Sequence, residues 1–193
     1  MNFYSILQSS LFRGGDRYHL PLKDVIAEAQ RLFHFDGVAR NNLCISHAQR
    51  RRINKEVNLA LKPEGAILIR AKAEKGQLNS AQNMYVWEGI ELLGCTSAIK
   101  KGIRNNVLYK VTQIEGEHVW LKGECQEGEL KLTFSQVASL MRLSFARTYA
   151  SVQGTEFSEA LRLHDVGSKH FTMRHVFVAL SRAKDRNLID VAI

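Results

Sequence analysis

The chain has 193 residues, 45% hydrophobic and 24% charged, a composition of folded globular proteins that excludes disordered and fibrous classes. With 27 Lys+Arg against 19 Asp+Glu the formal net charge is +8, so nucleic acid or a nucleotide is the expected partner class. No apolar run nears the ~20 residues of a membrane span, and the opening MNFYSILQSS is no signal peptide, so no membrane partner is expected.

The charge is unevenly spread: residues 1–60 carry +4, 65–135 only +1, and 136–193 carry +3. The middle is therefore expected to be a separate structural unit, while the two basic ends share an anion-facing surface. Cys44, Cys95 and Cys125 are odd in number and far apart, with no C-x-x-C pair. Neither a zinc site nor a disulfide framework is expected, which suits an intracellular, reducing compartment.

Residues 22–35 place Val25, Ile26, Ala29, Leu32 and Phe33 at the spacing of an amphipathic helix. Asn42 to Ser46 is a short apolar run ending in a small polar residue, which predicts a strand. His47 to Leu61 then sets Ile53, Val57 and Leu61 at i, i+4, i+8, a second helix. A strand feeding a helix is the elementary α/β unit. Ser46 at that junction suits a helix cap, or a polar group facing a ligand at the carboxyl edge of a sheet.

From Ala66 to about Leu132 short β-prone runs (AILIRA, MYVWEGIELLG, NVLYKVTQI, HVWLKG, ELKLTF) alternate with Gly- and Asn-containing turns. That texture predicts a small antiparallel barrel or meander. Afterwards Leu143 to Tyr149 reads as a strand, and a turn closes around Gly154. Ala160 to His164 reads as a strand, Phe171 to Leu180 contains a helix, and Asn187 to Ile193 is a final strand. The expected organisation is an α/β domain from residues 1–65 and 135–193, interrupted by a β-barrel-like insertion at 66–134.

Two segments are specific. Thr148-Tyr149-Ala150-Ser151-Val152-Gln153-Gly154-Thr155-Glu156-Phe157 follows T-x-x-x-x-Q/K-G-x-E-F, and about two dozen residues later comes Val176-Phe177-Val178-Ala179-Leu180-Ser181-Arg182-Ala183-Lys184. In this order they resemble motifs V and VI of superfamily 1 helicases, in both the UvrD/Rep and the RecD-like branches. Cys44-Ile45-Ser46-His47 with Asn54 resembles the motif IV strand and helix of the RecD-like branch. Gly102-Ile103-Arg104-Asn105-Asn106 before a β run resembles the small barrel inserted in that branch's second motor domain. The resemblance extends from about residue 40 to the end.

It implies an α/β, RecA-like P-loop-NTPase-type domain without the P-loop itself, with an inserted antiparallel β-barrel. The implied function is the C-terminal motor domain of an ATP-dependent DNA helicase of 5′-to-3′ polarity, in replication, repair or recombination. Phosphoryl transfer needs a cation delivered from the opposite domain as charge develops, and a guanidinium fork suits it. Arg182 is the implied arginine finger. Gln153, Gly154 and Glu156 are implied at ATP: glycine allows close backbone approach, and a carboxylate accepts from ribose hydroxyls. Arg50 is implied at the ATP phosphates. Ser46, His47, Thr148 and Ser151 are implied at DNA phosphates, with Lys100, Lys101 and Arg104 as a basic tip on the insertion. Trp87 and Trp120 suit either base stacking or the barrel core.

Two positions depart from the family pattern: Ala150 replaces a usual His, and His47 stands where Pro or Thr is usual. The sequence contains no G-x-x-x-x-G-K-[ST] and no Asp-Glu pair after an apolar strand. The implied cofactors ATP and Mg2+ would then be bound mainly by an N-terminal RecA-like domain of the same polypeptide. Single-stranded DNA is the implied partner, and this chain alone is expected to be inactive. A non-catalytic nucleic-acid-binding or assembly module derived from such a domain is the alternative reading.

Overall fold

The computed structural model describes residues 22–32, 37–71, 82–124, 127–185 and 188–192. Its elements in chain order begin with α1 (Leu22–Leu32), β1 (Asn41–Cys44), α2 (His47–Leu61), β2 (Ile67–Ile69), β3 (Met84–Val86) and β4 (Glu91–Gly94). There follow β5 (Leu108–Glu115), β6 (His118–Gly123), β7 (Leu130–Thr133), α3 (Phe134–Leu140) and β8 (Met141–Leu143). The chain closes with β9 (Ala146–Thr148), β10 (Leu161–Leu163), α4 (Met173–Arg182) and β11 (Ile189–Val191). Two compact units result, one from residues 1–50 with 146–193 and the other from 51–145. No helix among the described residues is long and apolar enough to cross a membrane.

The first unit holds a four-stranded parallel sheet of order β11-β10-β1-β9. One face is apolar, with Leu43, Leu163 and Val191 in register, while the other sets Asn42, Arg162 and Asp190 side by side across three strands. Leu43, Leu161, Leu163 and Val191 are fully buried, packed with Tyr149, Val152, Phe157, Phe171, Val176 and Ala179. Arg162 of β10 stands opposite Asp190 of β11 and forms an ion pair with it, so the buried carboxylate keeps a partner. In α1 the stripe residue Ile26 is buried at 4% exposure. Gln30 Nε2 ties this helix to the Ala192 carbonyl at 2.7 Å. The side chains of Val25, Ala29 and Leu32, together with Phe33, Cys125, Asn187 and Ile193, lie outside the described residues.

The second unit carries a five-stranded antiparallel sheet of order β7-β6-β5-β4-β8 and a separate β2-β3 ladder. Tyr109 and Val111 of β5, with Val119 and Leu121 of β6, are buried, while Lys110 and Lys122, paired across the two strands, are exposed. That is the alternation expected of strands with one wet face. The run MYVWEGIELLG is two strands, broken at Glu88-Gly89, where Gly89 has φ +93. Buried Asn58 of α2 donates to the Tyr85 carbonyl (2.9 Å) and accepts from the Tyr85 N–H (2.7 Å), satisfying one edge of β3.

Three expectations change. The run ELKLTF does not stay extended. Thr133 Oγ1 accepts from the Gln136 N–H (3.3 Å) and Gln136 Oε1 accepts from the Thr133 N–H (2.9 Å), a capping box that starts α3 at Phe134. The expected barrel is open: β7 and β8 are the two edges of the sheet and do not pair. Across a flat sheet these edges would stand about 19 Å apart. α3 joins them with seven residues, a reach of about 11 Å. The sheet is therefore curled into a half-barrel, with α3 packed against β7 and β8 in the gap. The segment 143–149 is also not one strand. Met141–Leu143 pairs antiparallel with β4, whereas Ala146–Thr148 pairs parallel with β1. Between them Ser144 Oγ donates to the Glu91 carbonyl at 2.7 Å. Packing thus gives the β-rich unit limits of 51–145, taking in part of α2, all of α3 and β8.

Candidate functional site

At the carboxyl edge of the parallel sheet, β1 passes through Ser46 into α2. The Gln49 N–H donates to Ser46 Oγ at 3.1 Å, so Ser46 caps the helix as its position in the sequence suggests. On the neighbouring strand β9, Thr148 is in register with Cys44. Its carbonyl accepts from Ser151 Oγ at 2.9 Å. Ser46, His47, Thr148 and Ser151 therefore emerge from one edge of two adjacent strands. Ser46 is exposed, His47 and Ser151 are half-buried, and Thr148 is buried, so its hydroxyl is not on the surface.

Sequence reasoning passed over the residues that brace this edge. Asp165, after β10, takes a left-handed φ of +62 and accepts the Ile45 N–H at 2.7 Å. Asn42 Oδ1 and His164 Nε2 lie 2.8 Å apart, and Tyr149 OH donates to the His164 carbonyl at 3.2 Å. The one signal was the tolerance of Asp for the left-handed region after a short apolar strand.

Burial, then the Asp165 charge, pushes the Cys44 thiol up to about 12, and Arg50 offsets only part of this. Burial also raises Tyr149, with Asp165 and Cys44 adding to the shift. The folded chain keeps the Cys44 proton where the unfolded chain, at its ordinary 9.0, releases it. The contribution of this thiol to stability is therefore full below pH 9 and is lost as pH rises from 9 towards 12. At pH about 8, where thiolates react with iodoacetamide, peptide mapping is expected to find half-buried Cys95 labelled and Cys44 unlabelled until the chain is denatured. Prompt labelling of Cys44 in the native protein would contradict its burial.

The two motif segments meet through their backbones. Phe157 and Ala183 form a parallel bridge, in which the Phe157 N–H donates to the Arg182 carbonyl (2.8 Å) and the Lys184 N–H to the Phe157 carbonyl (2.9 Å). α4 starts at a Thr172–His175 capping box, buries Val176 and Ala179, and stops at Arg182 because Ala183 turns extended. Glu156 and Arg182 thereby stand side by side. Glu156 also lies 3.9 Å from Lys184, an exposed pair of little energetic weight. Before it, Arg147 Nη1 holds Thr155 Oγ1 at 2.9 Å, and Gly154 has φ +77 with no neighbouring atom within 4 Å of where a Cβ would stand.

Gln153, Gly154 and Glu156 are exposed, and half-buried Arg182 spends only its Nε–H, on Ser181 Oγ at 3.2 Å, among the described residues. These groups fit the outer side of a nucleotide: an open turn, a carboxylate acceptor and a guanidinium with N–H donors to spare. Arg50 does not join them. It is 3% exposed in the first turn of α2, so the expected contact with ATP phosphates is not one it can make from the surface. Among the described residues no group of three or more His, Cys, Asp or Glu could hold a metal ion.

Lys100, Lys101 and Arg104 are exposed on the other unit, in the loop joining β4 to β5. Trp87 and Trp120 are half-buried rather than core. The Lys131 ammonium sits 4.8 Å from the Trp120 ring centroid, and the His118 ring lies tilted beside it at 6.1 Å.

One unit is a parallel α/β layer with a glycine turn, a carboxylate and an arginine beyond its strands, and the other is an antiparallel half-barrel. Solved Pif1 helicases share this fold. Bacteroides Pif1 bound to ssDNA matches with TM-score 0.65 and 16% identity, over 98% of this chain and 48% of that one. Two coordinating Pif1 helicases at forked dsDNA give 0.64 and 17%, over 98% and 46%. Pif1 from Candida albicans gives 0.58 and 15%, over 98% and 52%. The chain spans about half the length of these structures, and at such identity the likeness establishes a common fold. No protein-family model and no curated protein matches the chain.

Proposed function

We propose that this chain is the second RecA-like motor domain of a superfamily 1 DNA helicase of the RecD-like branch. It would work with an N-terminal RecA-like domain of the same polypeptide that supplies the phosphate cradle and the Mg2+ site. The observation that carries this reading is the Phe157–Ala183 bridge, which sets Glu156 beside Arg182 in a fold shared with Pif1 helicases. One of those neighbours was solved with ADP-AlF3 and ssDNA together.

ATP, when bound, supplies the γ-phosphoryl group whose transfer to water drives translocation. Arg182 acts as the arginine finger, offering its fork to the charge that develops on that group. Glu156 accepts from a ribose hydroxyl, and the open turn at Gly154 lets the backbone come close. Since Phe157 is hydrogen-bonded to both sides of Ala183, the glycine turn and the finger move together when the domains close. Ser46, His47 and Ser151 contact the DNA strand in this reading, and Lys100, Lys101 and Arg104 hold its phosphates. The polarity is 5′-to-3′.

The DNA part of this reading is tested with the 193-residue chain and a single-stranded oligonucleotide, by anisotropy across a salt series. Weak binding is expected, and three phosphate contacts make it about twenty-fold weaker for a fourfold rise in salt. Absent or salt-independent binding overturns it.

A further inference from the structure

The β4–β5 loop presents its apolar side chain rather than hiding it. Ile99 is 81% exposed, more than any other large hydrophobic residue among those described. It opens the 3-10 turn Ile99–Lys101, next to Lys100 and Lys101, and Arg104 follows after the left-handed Gly102. Between Glu91 and Glu115 the sequence has no acidic residue. The apex is therefore an apolar point in an uncompensated cationic field.

The loop is also rigidly built. Ala98 and Ile103 pair across its neck, and Ile103 is fully buried beneath it. Tyr109 OH accepts the Arg104 N–H at 2.9 Å and donates to the Gly102 carbonyl at 3.0 Å. The Asn106 N–H donates to the Gly94 carbonyl at 2.9 Å, closing the base. These bonds fix the backbone that carries Ile99, so little backbone ordering cost remains for a contact made at its tip.

An occupant must offer phosphates or other anions at regular intervals and apolar faces between them. Single-stranded nucleic acid does, whereas a duplex hides its base faces in the stack. One isoleucine supplies too little apolar area to anchor a lipid surface, and lysines are depleted in the centre of protein interfaces. We propose that Ile99 is a nucleobase contact, packing on or between unpaired bases of a strand whose phosphates are held by Lys100, Lys101 and Arg104. Apolar wedges act this way in other nucleic-acid complexes. The inference rests on the nucleic-acid reading above and adds to it a base-contacting group.

The test compares the chain with its Ile99→Ala and Ile99→Trp variants on three probes: a single-stranded oligonucleotide, the same backbone with abasic sites, and anionic phosphatidylserine vesicles. The unaltered chain is expected to bind the base-bearing strand about five- to ten-fold tighter than the abasic one. Ile99→Ala should abolish that preference with the salt slope unchanged. Ile99→Trp should keep it and quench a 2-aminopurine placed in the strand. Lys100→Ala with Lys101→Ala should weaken both strands alike and flatten the salt dependence. The proposal is overturned if Ile99→Ala retains the preference, if the chain shows none, or if Ile99 governs vesicle binding and not strand binding. If the chain binds neither strand, the nucleic-acid reading falls as well, whereas salt-dependent binding blind to the bases removes Ile99 alone.

Discussion

If the chain works as proposed, with a phosphate-binding domain in one polypeptide, replacing Arg182 by alanine in that polypeptide is expected to lower DNA-stimulated ATP turnover by about 10³-fold or more. Affinity for a single strand should stay within about two-fold, since no phosphate contact to DNA is removed. The size of the effect follows from where Arg182 sits. It ends α4, whose inner face is fixed by Val176 and Ala179, and its carbonyl is held by the Phe157 N–H at 2.8 Å. A guanidinium so placed costs little to reorganise as negative charge builds on the transferring group. Arg182→Lys keeps the charge but loses the planar fork, so it should recover only a small part of the rate. Steady-state turnover of the two variants decides the matter, and unchanged rates in Arg182→Ala remove the finger assignment.

The second large effect is structural. Gly94 ends β4 under the basic tip, and a Cβ there would stand 2.2 Å from the Arg104 carbonyl oxygen and 3.3 Å from Ile103 Cγ2. The near atom is backbone, and it cannot swing aside. The Gly94 N–H bonds the Val107 carbonyl at 3.0 Å while its own carbonyl takes the Asn106 N–H, so strand and loop are clamped from both sides. Gly94→Ala must push the loop off its seat and is expected to destabilise the chain by about 3 kcal/mol. In a protein of this size that lowers Tm by about 6–12 °C. Thermal unfolding followed by circular dichroism checks it, and salt-dependent oligonucleotide binding should weaken in parallel as Lys100, Lys101 and Arg104 lose their fixed spacing. A Tm equal to that of the unaltered chain would show that the loop does not press on Gly94.

Periodicity in the sequence found what a single element can show by itself. Ile53 and Val57 mark the buried face of α2, and Tyr109, Val111, Val119 and Leu121 mark the inner face of β5 and β6. Ser46 was legible as a cap because its hydroxyl needs only the next turn of its own helix. The start of α3 carries its signal in Thr133 and Gln136, but the apolar Leu132 and Phe134 around Thr133 have the spacing of a strand.

Residues 143–149 defeated the same approach: all but half-buried Ser144 are buried, polar Arg147 and Thr148 included, so no alternation shows that Leu143 ends a strand of one sheet while Ala146–Thr148 belongs to another. The burial of Arg50 was equally hidden, because a basic residue in a first helical turn reads as solvated until its surroundings are known.

The sequence by itself thus determined the elements, the distribution of charge and the two motif segments, since hydrophobic spacing and capping act within a few residues. Only the tertiary structure decided that the barrel is half-open, that Phe157 bonds across to Ala183, and that Ile99 stands out from a braced tip. Each of these depends on which distant segments share a surface. That choice is made by the packing of the whole chain, and no local window of residues contains it.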